Sequence, residues 1–181
     1  FKRDDPRVTS EPPKDWFAYE NRNPVGSYVT QIKVTQDMLS QNLILHFGGV
    51  HSAMYVWING EKVGYSQNSM SPAEFDVSSY LHEGNNKLAV EVYRWCDGSY
   101  LEDQDMWRLS GIFRPVQLWV RPLVHIADYK LSADPKNLQG EGFFQAEVKV
   151  CNTGKNVVKD VPVSVKIGGK TLEKRIKQIM P

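Results

Sequence analysis

The chain has little of what usually announces a chemistry. Only two cysteines, Cys96 and Cys151, occur in 181 residues, too few for a disulfide framework. They fall in what read as different domains, so a bridge between them is disfavoured and both read as small, half-buried hydrophobes. The four histidines, His46, His51, His82 and His125, show no metal-ligand spacing. No Gly-rich phosphate loop, G-x-S-x-G elbow or H-E-x-x-H motif occurs. No apolar run approaches the ~20 residues that a membrane helix needs. Charge of one sign is missing too: 22 basic residues face 21 acidic ones. That balance leaves no excess to neutralise phosphates, so neither nucleic acid nor a membrane is an expected partner. No secretory leader is visible, and the compartment, cytoplasmic or periplasmic, is left open. The chain opens on Phe1 and stops at Pro181 just after a strand-like run, which reads as an excised piece.

What is present is ordinary globular material, 41% hydrophobic and 11% aromatic, enough for one large or two small cores. Residues 1–26 form a polar arm with Pro6, Pro12, Pro13 and Pro24 around Trp16, Phe17 and Tyr19. Proline at that density blocks helix, so the arm reads as extended, lying across a surface that covers its aromatics. From Ser27 the period becomes two: Tyr28, Thr30, Ile32 and Val34 alternate with Val29, Gln31, Lys33 and Thr35, as in a half-buried strand. Gln41–Phe47 is a second β-prone run. Ala53–Ile58 and Glu61–Ser66 flank Asn59-Gly60, a strong hairpin signal because both residues tolerate positive φ. A turn at 83–86 leads into Lys87–Trp95, and a last strand spans Ile112–Val120. Short helical turns are expected near Thr35–Ser40 and Val77–Leu81, after the N-cap types Thr35 and Asp76. Short, evenly spaced strands with so little helix argue for an antiparallel sandwich.

Arg121-Pro122 reads as a boundary, giving domains at 1–122 and 123–181. Beyond it, Ile126–Ala133, Gly142–Cys151 and Val161–Ile167 read as strands, with turns at Asp134-Pro135, 152–154 and Gly168-Gly169. Leu172–Met180 is either a further strand or a fraying end. That is about half of an immunoglobulin-like sandwich, which has seven strands in ~100 residues. Half a sandwich leaves edges and an apolar face open, so self-association through 123–181 is expected.

One segment stands apart from this scaffold. Between Arg94 and Arg114 lie four acids (Asp97, Glu102, Asp103, Asp105), three arginines and two tryptophans. Carboxylates orient hydroxyls and tryptophan faces suit the C–H face of a pyranose, so these types favour a sugar-contacting surface. The plainer alternative is a long loop whose acids and arginines pair with each other. In an extended loop Asp103 and Asp105 point to one side roughly 6–7 Å apart. Retaining glycosidases hold two carboxyls ~5–5.5 Å apart, but neighbours on one strand cannot straddle a scissile bond. The Asp-x-Asp-x-Asp-Gly spacing of a calcium loop is absent.

Arg94-Trp95, the run Asp97-Gly98-Ser99-Tyr100-Leu101-Glu102-Asp103-Gln104-Asp105-Met106-Trp107-Arg108, and Ser110-Gly111-Ile112-Phe113-Arg114 together resemble the sugar-binding domain of the large β-galactosidases of glycoside hydrolase family 2. Three stretches agree in order: Asn23–Tyr28; Gly49–Ala53 with Trp57 and Asn59-Gly60; and Val63-Gly64-Tyr65 through Pro72–Asp76. The resemblance implies an all-β chain, a galactose-binding-like jelly roll over 1–122 followed by part of an immunoglobulin-like sandwich over 123–181. It implies that retaining hydrolysis belongs to two glutamates on a (β/α)₈ barrel with no counterpart in residues 1–181, so the chain alone is expected to be inactive. The barrel would be a partner and a terminal β-galactoside the ligand. Asp105 would bind galactose near its 6-hydroxyl, partly through a sodium ion, with Trp107 and Arg108 bracing it. Sodium and magnesium are implied for the whole enzyme and no cofactor for this part alone. Glu102, Asp103, Arg94 and Arg114 read as structural ion pairs. Two other readings stand beside this one: a free-standing carbohydrate-binding module, and a purely structural sandwich used in adhesion or assembly.

Overall fold

A computed structural model describes residues 23–68, 70–101, 109–136, 140 and 142–181, which divide into one unit up to Val120 and a second from Arg121. The first unit is a β-sandwich. In chain order it holds β1 (Val25–Val34), α1 (Gln36–Leu39), β2 (Asn42–Phe47), β3 (Val50–His51), β4 (Ala53–Ile58), β5 (Glu61–Ser66), β6 (Ala73–Asp76), β7 (Gly84–Tyr93), α2 (Asp97–Leu101), β8 (Gly111–Ile112) and β9 (Val116–Arg121). One sheet has the order β1-β7-β4-β5 and the facing one β6-β2-β9, with β3 and β8 paired at one end.

The period-two pattern explains which faces meet. On β7, Leu88, Val90 and Val92 are buried; on β4, Met54, Val56 and Ile58 are. Strand β2 sits in the middle of its sheet, and its continuous run Leu43, Ile44 and Leu45 is buried on both faces. Phe47 closes the same core and meets Phe75 of β6 edge to face, ring centroids 6.1 Å apart. Each such side chain contributes about 1.5–3 kcal/mol by leaving water. Ser27–Thr30 of β1, Phe47, Leu88, Val90, Ile112 and Val116 line an open groove of about 470 Å³ between the sheets.

The Asn59-Gly60 hairpin forms as its sequence predicts, with φ 52° and 90° and Ile58 opposite Glu61. The short turn expected over Val77–Leu81 forms, closed by Tyr80 N–H donating to Val77 C=O and capped by Ser78 N–H donating to the Asp76 carboxylate. Val77 N–H bonds Leu43 C=O. One expectation for this unit needs correction: the strand over Ile112–Val120 is two strands, β8 and β9. Pro115 has no N–H to give, and its carbonyl accepts from Gly48 N–H.

The second unit consists of two hairpins, β10 (Val124–Pro135) with β11 (Gly142–Asn152), and β12 (Val158–Ile167) with β13 (Lys170–Ile179). The run after Leu172 is therefore strand. Asp134-Pro135, read as a turn, instead ends β10, with Pro135 opposite Gly142. Gly168 and Gly169, at φ 52° and 78°, make the two-residue turn between β12 and β13. Cys96 and Cys151 are both free thiols.

Candidate sugar-contacting site

The acidic, tryptophan-rich segment leaves the sandwich at the end of β7 and returns through β8. Asp105, Trp107 and Arg108, with Glu102 and Asp103, lie outside the described residues; the two stems that carry them do not. At the outgoing stem the side chain of Asn23 acts as a short strand against Trp95. Its Nδ2 donates to Trp95 C=O at 3.0 Å and its Oδ1 accepts from Trp95 N–H at 2.9 Å. Arg94 N–H donates to Pro24 C=O, continuing the β1–β7 ladder by one more rung. The chain then closes into α2, with Ser99 N–H donating to Cys96 C=O and Cys96 N–H donating to Ser99 Oγ. This five-residue helix, which no periodicity announces, is held from beneath by Ser52. The Ser52 hydroxyl lies 3.1 Å from Cys96 Sγ and 3.1 Å from Ser99 Oγ, and Ser52 N–H donates to Tyr93 C=O.

At the returning stem His51 Nδ1 is hydrogen-bonded to Leu109 C=O, and His51 pairs with Gly111 as Val50 pairs with Ile112. Phe113 N–H donates to Gly49 C=O. The Phe113 ring covers Gly49 so closely that an added Cβ would stand 2.7 Å from its Cζ. Only glycine lets the two segments approach this far. Arg114 donates to Gly48 C=O at 3.3 Å and Met70 C=O at 3.0 Å, with its guanidinium 5.2 Å from the Phe113 ring centre. Among the described residues Arg114 thus braces backbone. Arg94 places its guanidinium 5.1 Å from the Trp95 ring centre.

Beside α2, the outer face of the larger sheet carries Tyr55, Trp57, Tyr65 and Tyr93, with Tyr55–Tyr65 centroids 4.7 Å apart and Lys62 Nζ 4.2 Å above Tyr55. Partial burial, followed by the charges of Cys96, Tyr55 and Asp97, holds the Tyr65 phenol above its ordinary range. Among the described residues no three His, Cys, Asp or Glu side chains converge on a metal, so the sodium expectation rests on Asp105 alone. Residues that pattern reading passed over are Ser52, Ser99 and the role of His51. Small polar residues between apolar neighbours carry no periodic signal.

The described residues thus define an antiparallel β-sandwich with a braced stem at each end of the acidic, tryptophan-bearing segment. The chain belongs to glycosyl hydrolases family 2, whose sugar binding domain matches residues 8–122. It is 47% identical over 155 residues to a β-galactosidase of Priestia megaterium, covering 86% of this chain and 15% of that protein. With a β-galactosidase of Pectobacterium atrosepticum it shares 58% over 112 residues, 61% of this chain and 11% of that one. The chain thus spans about a seventh or less of these relatives' length. Bacteroides uniformis β-glucuronidase is a structural neighbour, with TM-score 0.74 and 20% identity over 86% of this chain and 20% of that one. At that identity the likeness shows the shared fold.

Proposed function

We propose that this chain is the sugar-binding part of a β-galactosidase and that its Asp97–Arg108 segment contacts a terminal β-galactoside. The observation that carries the reading is the match of the family's sugar-binding domain over 8–122, together with the β-galactosidase relatives at 47–58% identity. In this reading Asp105 accepts hydrogen bonds near the galactose 6-hydroxyl and helps hold a sodium ion. Trp107 and Arg108 support it. Sodium, when bound, supplies positive charge that orients sugar oxygens; magnesium belongs to the rest of the enzyme. The second unit is the beginning of an immunoglobulin-like sandwich, and its open face associates with a further copy when no other chain covers it. In this reading hydrolysis is the work of a catalytic barrel as partner, with its two carboxyls on either side of the scissile bond.

Amide NMR of the chain with galactose at millimolar concentration tests the contact. Shifts confined to residues 97–109, absent in Asp105→Ala, support it; no shift at high sugar concentration overturns it for this chain by itself. A chromogenic galactoside tests inertness: turnover comparable to a normal enzyme, on the order of 10 per second, overturns that part of the reading.

A further inference from the structure

The two adjacent residues His51 and Ser52 touch opposite stems of the same segment. Ser52 is fully buried and reaches Cys96, Ser99 and Tyr93 on the outgoing side. His51, 4% exposed, reaches Leu109 on the returning side. Five residues separate β2's last residue from β4's first, yet this short connection meets both ends of a segment whose stems lie about fifty residues further on. The chemistry of the histidine is fixed by its partner. Leu109 C=O can only accept, so the ring nitrogen facing it, Nδ1, carries the hydrogen. In the neutral ring Nε2 is then the acceptor, and it is buried with no hydrogen-bond partner among the described residues. A buried, unsatisfied ring nitrogen costs free energy.

We infer that His51 and Ser52 form a clamp that sets the spacing and direction of the two stems, and that His51 is a positioning residue for the sugar-contacting segment. The inference about the stems stands on these contacts; its consequence for sugar rests on the function proposed above. Ser52 fixes where the chain enters α2, and His51 fixes where it re-enters at Leu109. Because the two are consecutive, neither stem can shift along the sandwich edge without moving the other's anchor. The clamp acts through the Nδ1 hydrogen, which the side-chain amide of asparagine can imitate. Glutamine, whose amide falls near the Nε2 position, cannot.

The test uses the full chain and three variants, His51→Asn, His51→Gln and His51→Ala, with ¹⁵N-histidine and amide NMR. The wild-type His51 ring should be the Nδ1–H tautomer. Asparagine should reproduce the wild-type amide shifts of 97–101 and 109–112. Glutamine and alanine should move both sets together, while β2 and β4 amides stay in place. An Nε2–H tautomer, glutamine equal to asparagine, or alanine moving only the Leu109 side overturns the clamp. A galactose titration runs in parallel with Asp105→Ala. Loss of the clamp should weaken the galactose response about tenfold, the scale of one lost buried hydrogen bond, with asparagine restoring it. If the galactose response is absent or survives Asp105→Ala while the histidine series behaves as expected, the sugar assignment fails and the clamp stands. If Asp105→Ala abolishes the response and His51→Ala leaves it intact, the clamp fails and the sugar assignment stands.

Discussion

The two units are built from the same antiparallel ladders and differ in what lies against them. In the first, thirteen buried side chains from both sheets form one cluster, Val34 through Val92. In the second, the β10–β11 hairpin has an apolar face of comparable quality. Ile126, Tyr129, Leu131 and Ala133 stand opposite Val150, Val148, Ala146 and Phe144. Yet Tyr129 is 66% and Leu131 55% exposed, and Asn152 is the one buried residue of that unit among those described. Every strand of the second unit pairs on one side, whereas β2, β4 and β7 pair on both, and burial differs with it. A ladder alone exchanges water's hydrogen bonds for its own at small net gain. The transfer of apolar surface separates a core from a hairpin.

The most forceful way to break this comparison is to remove apolar bulk from each side. Leu43→Ala, at a site with no exposure, should cost about 2–5 kcal/mol in denaturant unfolding, from lost transfer energy and the cavity left behind. Val148→Ala on the half-covered β11 face should cost well under half of that. Equal losses would show that the second unit's face is covered in solution. A matched polar pair comes next. Asn86 is buried and serves four backbone and side-chain partners: it accepts from Asn59 Nδ2 and His82 N–H, and donates to His82 and Gly84 carbonyls. Asn86→Ala should cost about 1–3 kcal/mol in the first unit's unfolding, because those groups are left unsatisfied. Asn152 makes a parallel set, accepting from Gly154 N–H and donating to Asn156 C=O. Asn152→Ala should leave the main transition in place and raise hydrogen exchange only around 150–158.

Which of these features were legible beforehand follows from the same physics. Period-two alternation marks a face without saying what covers it, so the strands of both units could be read and their difference could not. The Asn59-Gly60 turn was legible because its backbone requirement is local. The turn after Asp76 was legible for the same reason: the Asp76 carboxylate caps Ser78 N–H two residues on. The break at Pro115 was overlooked although proline itself signalled it. For the site, the residue types around Asp105 pointed to sugar, but the anchors at Ser52, Ser99 and His51 are long-range contacts between single polar residues. Nothing in their own neighbourhoods distinguishes them from any other small polar side chain in a strand.

A smaller effect sharpens the role of the open face. Leu131→Lys places a charge in the middle of the β10–β11 apolar face. Sedimentation of the wild-type chain should show concentration-dependent association that this change removes, with the first unit's unfolding midpoint unmoved. A wild-type chain that stays monomeric at every concentration would mean that the exposed face is tolerated singly.

The smallest expected effect is electrostatic and belongs to the covered unit alone. Asp76 ends β6, and burial by itself would raise its pKa. The Ser78 amide and hydroxyl and the Asn42 side chain favour its charged form more strongly, and the net shift is downward. The folded state therefore prefers the carboxylate more than the unfolded state does. That preference contributes stability in full above the ordinary aspartate value near 4. It is lost as pH falls through the lower folded value, where both states are protonated. Asp76→Asn should remove this part of the acid-side decline, so that the wild-type and variant stability curves separate above about pH 4 and converge as pH falls through the lowered folded value. Parallel curves across that interval would mean that the Asn42 and Ser78 contacts do not discriminate between the two protonation states.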